Sequence, residues 1–301
     1  MDQKTLQALY GLKWNPFSRD LPSEALQKRP EIEHFCWRAE NLVMDGGFAL
    51  ITGDPGTGKS AALRIVAERI GAIPEVVVAE FSRPQSRVGD FYREMGFLFN
   101  LDIRCSNRYG GHKSLREKWR AHIESTLFKP VIMIDEAQQM DPLVLTELRL
   151  LSSDKFDTKV LITVILCGDA RLTEKLNTPE LLPINSRLRT KLVMQSATRE
   201  ELIEILTEAL ELAGNPSLMT EELIATLAEH ANGNCREMMI AADELLCEAV
   251  RRELKQMDTK LYIEYYTARQ ESRPKPRERV SGLTTAKPMI NVGSLGKRKG
   301  L

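Results

Sequence analysis

The first two thirds of the chain alternate short apolar runs with longer amphipathic segments. The apolar runs have the length and composition of buried β-strands and fall at residues 48–52, 76–81, 131–134 and 160–166. The amphipathic segments repeat apolar positions at helical spacing, at residues 61–70, 88–100, 114–127 and 143–151. Strands that alternate with helices over this length predict an α/β fold, with a parallel sheet covered by helices.

Beyond about residue 199 the apolar positions follow only a helical period, at residues 200–213, 220–231 and 236–266. Tyr266 is the last aromatic residue, and the segment after it has too few apolar side chains to offset the entropy of ordering. We therefore predict four parts: an N-terminal segment at 1–40, an α/β domain at 41–198, a small all-helical lid domain at 199–266 and a disordered basic tail at 267–301.

Composition narrows the class of protein. The chain has 301 residues, 43% of them hydrophobic, which excludes wholesale disorder and allows one large or two modest domains. No stretch approaches the ~20 apolar residues of a membrane span, and the N-terminus lacks a secretion signal. The five cysteines and four histidines are scattered without metal-ligand spacing. We expect a soluble cytoplasmic protein that does not partner a membrane.

The zero net charge of the whole chain hides two basic segments. The tail from residue 267 has nine Lys or Arg against two Glu, so it carries +7 and leaves −7 on residues 1–266. Residues 83–120 hold nine basic against four acidic side chains, inside an otherwise acidic body. The tail is either a solubilising segment or an arm that meets nucleic acid or an acidic partner.

Residues 53–60, Gly-Asp-Pro-Gly-Thr-Gly-Lys-Ser, match GxxxxGK[ST] between a predicted strand and a predicted helix. Glycines there let backbone N–H groups turn inward around phosphates, at the positive end of the helix. Lys59 is expected to neutralise the β and γ phosphates, and the Ser60 hydroxyl to ligate Mg²⁺. The predicted nucleotide contacts are Gly53, Asp54, Pro55, Gly56, Thr57, Gly58, Lys59, Ser60 and Ala61.

Two carboxylates follow the apolar strand at 131–134. Asp135 is predicted to hold Mg²⁺ through water and to contact the nucleotide site, and Glu136 to polarise the attacking water as a general base. The alternative is that both acidic residues only cap the following helix. No Asn-Lys-x-Asp guanine-reading motif occurs, which favours ATP over GTP.

With these motifs, residues 9–255 resemble the AAA+ ATPases, in the branch of ExeA-type secretion ATPases and TniB/MuB-type transposition ATPases. The resemblance includes residues 10–12 and 15–17 (Tyr-Gly-Leu and Asn-Pro-Phe), 134–138 (Ile-Asp-Glu-Ala-Gln) and 233–236 (Gly-Asn-Cys-Arg). Cys235 replaces the usual proline of the last motif. The resemblance implies an AAA+ P-loop sheet covered by helices and followed by a helical lid.

The resemblance also implies roles for arginines. Arg236 matches the lid arginine that touches the γ-phosphate in its own subunit. Arg187 matches the arginine supplied to a neighbour's nucleotide, with Arg189 as second choice, so that self-assembly forms a ring or an open helix. Each could instead make a surface salt bridge. Asp169 stands near the position where relatives carry a neutral donor such as glutamine; a carboxylate cannot donate, so slow hydrolysis is expected.

The resemblance leaves three functions open. The first is a bacterial ATPase that oligomerises on duplex DNA without base specificity, at the nucleoid, and recruits a transposase or an adaptor through its tail or the segment before Asn15. The others are assembly of a secretion complex, as in ExeA/GspA proteins, and a nucleotide-binding scaffold that does not hydrolyse ATP. Charge and resemblance select the following phosphate contacts to DNA: Arg83, Arg104, Arg108, Lys113 and Arg116.

Overall fold

The computed structural model describes residues 3–100, 113–118, 121, 125, 128–154 and 159–271. Arg104, Arg108 and residues 272–301 of the predicted tail therefore lie outside the described residues. The strands are β1 (Gly47–Gly53), β2 (Val76–Glu80), β3 (Lys129–Ile134), β4 (Ser153–Asp154), β5 (Lys159–Val160), β6 (Thr163–Gly168) and β7 (Leu188–Met194). The α/β part contains helices α2 (Pro30–Asp45), α3 (Lys59–Gly71), α4 (Val88–Leu98), α5 (Pro142–Ser152), α6 (Ala170–Leu176) and α7 (Leu182–Asn185).

Five strands form one parallel sheet in the order β2-β3-β6-β1-β7, which confirms the predicted α/β fold. The central strands are apolar along almost their whole length because helices cover both faces. Helices α2 and α3 pack on one face, against Ile51 and Met133 among others. Helices α4 to α7 pack on the other face, against Leu50 and Ile132 among others. The phosphate loop leaves the carboxyl end of β1, which lies between β6 and the edge strand β7.

The fifth strand, β7, is absent from the prediction. It lies at the sheet edge beside β1, and its side chains alternate between buried and exposed positions. Arg189, Lys191 and Val193 face outward, whereas Thr190, Leu192 and Met194 are buried. The charged side chains of Arg189 and Lys191 interrupt the apolar sequence, so this strand is not a continuous apolar run.

The helical part, called the lid below, contains α8 (Arg199–Ala213), α9 (Glu221–His230), α10 (Cys235–Arg251) and α11 (Thr259–Glu271). The single helix predicted at 236–266 is thus two helices. The turn between α10 and α11 contains Glu253, which has a positive φ of 54°. Met257, in the same turn, forms a backbone bridge with Met219, which precedes α9. Helix α11 continues to Glu271, past the predicted start of the tail. Each helix within the described ranges is too short or too polar to span a membrane.

The N-terminal helix α1 (Gln3–Tyr10) packs on the lid and not on the α/β domain. Leu6 and Leu12 are buried among the lid helices, and the Lys13 amide donates to the Ala213 carbonyl at 2.9 Å. The segment from Leu26 to the end of α2 packs on the α/β sheet. The lid therefore covers the apolar face of the segment predicted to be available to a partner, and the outer side, with Leu9, stays exposed.

A carboxylate network in the lid gives a pH-dependent prediction. Arg251 and Arg252 bond Glu248 and lower the pKa of that carboxyl to about 2, and Arg252 also bonds Glu264 at 2.6 Å. Because the folded-state pKa is lowered, the stabilisation is present at neutral pH and is lost as the pH falls from about 4.5 toward 2. Glu248→Gln should lower Tm by about 2–4 °C at pH 7 and by much less near pH 3.

Thermal unfolding followed by circular dichroism across pH 3–7 measures this effect. Glu229→Gln is the matched control, since it makes the same change at an exposed lid position and should leave Tm nearly unchanged. An equal loss for Glu248→Gln at both ends of the pH range would show that packing, and not charge, stabilises this site.

Candidate nucleotide-binding site

The phosphate loop joins β1 to α3 with two left-handed glycines. Gly56 has φ 91° and Gly58 has φ 95°, conformations that side-chain-bearing residues rarely adopt. Gly58 is the N-cap of α3 and offers no side-chain cap, so the first-turn amides of this 13-residue helix are not bonded by the capping residue. An anion is the partner that such amides and the helix dipole favour.

Bonds within the loop hold its lysine and threonine in place. The Asp54 carbonyl accepts from Lys59 Nζ at 2.8 Å and from Thr57 Oγ1 at 2.9 Å. Lys59 is only 8% exposed although it is charged. The loop is thus a closed turn with one ammonium group held against it, which fits a polyphosphate.

Ser60, in the first turn of α3, meets the residue that follows β3. Its Oγ donates to Asp135 Oδ2 at 2.8 Å, and Asp135 Oδ1 accepts from the Glu136 amide at 2.8 Å. A hydroxyl and a carboxylate are hard oxygen ligands of the kind Mg²⁺ takes. Among the described residues, no group of three or more His, Cys, Asp or Glu side chains could hold a metal. The pair therefore fits a Mg²⁺ whose other ligands are phosphate and water.

Glu136 stands beside this pair in an unusual backbone conformation. Its φ is 53°, and its side chain is exposed. Its Oε2 accepts from Gln138 Nε2 at 2.6 Å and from Gln139 Nε2 at 3.5 Å. The predicted base is thus held by amides from the short 3₁₀ turn Ala137–Gln139, a contact that the local sequence does not indicate.

The carboxyl end of β6 adjoins the same site. Burial and the nearby Asp135 carboxylate raise the pKa of the Cys167 thiol, which keeps it protonated. Asp169 caps α6 and pairs with Arg171, which lowers the pKa of the Asp169 carboxyl. Asp169 is therefore an ionised acceptor tied to its own helix. The position gives no neutral donor, in agreement with the chemistry expected from the sequence.

The lid reaches the phosphate loop through Asn234. This residue caps α10 by accepting from the Arg236 and Glu237 amides, at 3.0 and 3.2 Å. A Cβ at Gly56 would come within 2.0 Å of Asn234 Oδ1, so the two residues are in close contact. Arg236 is exposed in the first turn of the same helix. An asparagine before a helix is typical of an N-cap, so that role is indicated by the sequence. The contact with Gly56 is not, because the two residues lie far apart in the chain.

Arg187 and Arg189 lie at the other end of the sheet. Leu188 pairs with Phe48 at the start of β1, whereas Met194 pairs with Gly53, where the phosphate loop begins. At ~3.3 Å per residue, about 20 Å of strand separates Arg187 from its own phosphate loop. Arg187 Nη1 donates to the Pro183 carbonyl at 2.5 Å, and Arg189 Nη1 lies 3.4 Å from Asp45 Oδ2.

Three of the predicted DNA contacts lie within the described residues. Arg83 is exposed after β2. Lys113 is 62% exposed and lies 3.9 Å from Glu117, one helical turn away. Arg116 is half-buried with its Nε atom shielded from solvent, so it is the least suited of the three to contact a phosphate.

Comparison with known proteins supplies the context for this geometry. Residues 43–176 match the family described as AAA domain. General secretion pathway protein A of Aeromonas hydrophila is 28% identical over 211 residues, which cover 69% of this chain. The chain spans only 38% of the length of that relative.

Solved structures show the fold. Cdc6p from Pyrobaculum aerophilum aligns with a TM-score of 0.65 and 15% identity, over 85% of this chain and 68% of that one. The Aeropyrum pernix ORC1 protein in complex with DNA aligns at 0.63 and 18%, over 83% and 68%. The Thermotoga maritima RuvB Holliday junction branch migration motor aligns at 0.57 and 16%, over 84% and 73%. The chain therefore has the AAA+ P-loop fold, with a helical part after the sheet.

Proposed function

We propose that this chain is an ATPase whose ATP site is completed by a second copy of the chain and whose assembly forms on duplex DNA. The observation that carries the assignment as an ATPase is the 2.8 Å contact between Ser60 and Asp135 at the phosphate loop, with Glu136 next to it. A glycine-rich turn kept only for structure would not require a lysine, a hydroxyl and two carboxylates from a distant strand around it.

Each residue of the site has a defined task in hydrolysis. The loop amides and Lys59 bind the phosphates, and Ser60 and Asp135 would hold Mg²⁺. When bound, Mg²⁺ would supply positive charge that stabilises the transferring phosphate. Glu136 accepts the proton of the attacking water as general base, and Arg236 binds the γ-phosphate from the lid. Because the Asn234 cap touches Gly56, the lid can respond to the state of the loop.

Arg187 is proposed to act on the neighbouring subunit. The separation of about 20 Å along β7 keeps it from its own phosphate loop, which supports a role at a neighbour's site. A head-to-tail contact of this kind generates a ring or an open helix. Hydrolysis removes the γ-phosphate that both subunits bind, so the interface weakens and subunits leave.

The proposed partner is duplex DNA, gripped without base specificity. Two observations support this. Arg83 and Lys113 are exposed. Two solved structures of the same fold are an ORC1 protein in complex with DNA and the RuvB Holliday junction branch migration motor. Within this proposal the assembly recruits a transposase, directly or through an adaptor. The second candidate is assembly of a secretion complex, which the 28% identity to general secretion pathway protein A favours.

A salt series on DNA affinity tests the partner. With ATP and Mg²⁺ present, the double variant Arg83→Ala/Lys113→Ala should weaken DNA binding and reduce the slope of log affinity against log salt by about 2, roughly 1 for each lost phosphate contact. Fluorescence anisotropy with a labelled duplex measures both quantities. Lys59→Ala, which should not bind the triphosphate, should show no ATP-dependent binding at all.

The matched control is Lys255→Ala/Lys260→Ala, which removes two charges from the lid. Lys260 pairs with Glu264 at 4.0 Å, much as Lys113 pairs with Glu117 at 3.9 Å. The control should keep the wild-type slope. A wild-type slope near zero, or ATP-dependent assembly that is indifferent to DNA, would reject the DNA proposal and favour the secretion candidate.

A further inference from the structure

The Glu136 carboxylate, the proposed base, is held by an amide that has no role in the proposed mechanism so far. Gln138 Nε2 donates to Glu136 Oε2 at 2.6 Å, the shorter of the two amide contacts made by that oxygen. Gln138 is 7% exposed, whereas Gln139 is exposed and bonds Gln85 Nε2 through its own Oε1 at 2.7 Å. One donor is thus buried beneath Glu136, and the other lies at the surface.

Several contacts fix the position of Gln138. Its backbone carbonyl accepts from Lys175 Nζ, which also donates to the Met140 carbonyl at 2.8 Å. Burial lowers the pKa of Lys175, and the two carbonyl bonds still give its ammonium partners. A Cβ at Gly168 would come within 2.5 Å of Gln138 Oε1, so the glycine at the end of β6 is what makes room for the amide.

Burying the Gln138 amide costs stability, and the hydrogen bond that its Nε2 donates to Glu136 is what explains its presence. Gln138 Oε1 is buried and has no hydrogen-bond partner among the described residues. An unsatisfied buried oxygen destabilises a fold, and an apolar side chain of the same size would avoid that loss. Flipping the amide would set its oxygen against a carboxylate oxygen, so the N–H groups must face Glu136.

We propose that Gln138 is a positioning residue that orients the Glu136 carboxylate for proton acceptance from water. Its neutral amide lies beside Gly168. The next residue, Asp169, is a carboxylate and cannot donate a hydrogen bond there. With Oε2 held by Gln138, the carboxylate is restrained from rotating away from the water. The inference rests on the proposed role of Glu136 as general base.

The test is an apolar isostere. Gln138→Met removes both the donor and the unpartnered oxygen but keeps the volume, so Tm should be retained or raised. The kcat of ATP hydrolysis should fall by about 10- to 100-fold with KM for ATP unchanged, since ATP binding does not use this amide. Gln139→Met, at the exposed 3.5 Å contact, is the control and should change kcat by less than about 3-fold.

A second variant and a double variant complete the design. Gln138→Glu keeps the shape but replaces the amide donor with oxygen, and it should also lower kcat if the methionine variant does not fold. In a Glu136→Gln background, Gln138→Met should cause no further loss, because it acts through a carboxylate that is already gone. A stability loss without a fall in kcat, or a further loss in the double variant, would overturn the positioning role.

The outcomes separate the two proposals. Wild-type kcat in Glu136→Gln would overturn the general base and, with it, the role of Gln138. A Glu136→Gln variant that is inactive, together with Gln138→Met at wild-type kcat, would overturn the positioning role alone.

Discussion

Glu136→Gln is expected to lower kcat of ATP hydrolysis by about 10²- to 10⁴-fold, the contribution of a positioned general base. The amide keeps the shape of the side chain but cannot accept a proton from water. Because Glu136 is exposed and the Ser60–Asp135 contact does not involve it, folding and ATP binding should be unchanged. Bound ATP then persists, so protein assemblies should accumulate on DNA.

Phosphate release measures the first effect, and electron microscopy of complexes with a duplex measures the second. Glu75→Gln is the matched control, since Glu75 is also exposed and also has a positive φ, 67°. This control should hydrolyse ATP and dissociate from DNA as the wild type does. A Glu136→Gln protein that hydrolyses ATP at the wild-type rate would assign the base to another residue.

Arg187→Ala is expected to lower kcat by about 10³- to 10⁵-fold, the range found for an arginine supplied to a phosphoryl-transfer site. The loss should appear only at concentrations where the wild type assembles, because an isolated subunit has no neighbour to supply the guanidinium. Arg187 Nη1 donates to the Pro183 carbonyl in α7. The backbone bonds of that turn, such as the one from the Arg187 amide to the Ile184 carbonyl, do not depend on the side chain, so the fold should be retained in the variant.

Arg189→Ala is the control for Arg187→Ala. Arg189 lies 3.4 Å from Asp45 on the surface, and exposed pairs of this kind contribute little to stability. Its kcat should stay within about 3-fold of wild type. If Arg189→Ala instead shows the large loss and Arg187→Ala the small one, Arg189 is the arginine that acts on the neighbour. The proposal that two subunits share the ATP site would be unchanged.

Local patterns were enough to predict the sheet and the phosphate loop. Buried parallel strands are continuous apolar runs, and the loop motif requires a strand before it and a helix after it. Strand β7 was missed because only one side of it is buried. The break between α10 and α11 was missed because Glu253, without glycine, takes the left-handed conformation that ends the turn.

The parts of the site that could not be predicted depend on contacts between distant residues. The sequence places Asn234 before a helix and Gln138 after two carboxylates, but nothing local indicates that they touch Gly56 and Gly168. The packing of α1 on the lid is of the same kind, since an amphipathic helix at the N-terminus does not specify which domain it covers.

The claim that the ATP site is shared between two copies of the chain is tested most directly by mixing two inactive variants. Glu136→Gln lacks the base but keeps Arg187, whereas Arg187→Ala lacks the arginine but keeps Glu136. In mixed assemblies on DNA about a quarter of the interfaces should combine both intact residues, so ATP hydrolysis should recover to roughly a quarter of the wild-type rate. Mixtures that stay as inactive as either variant alone, while co-assembling on the duplex, would contradict the shared site.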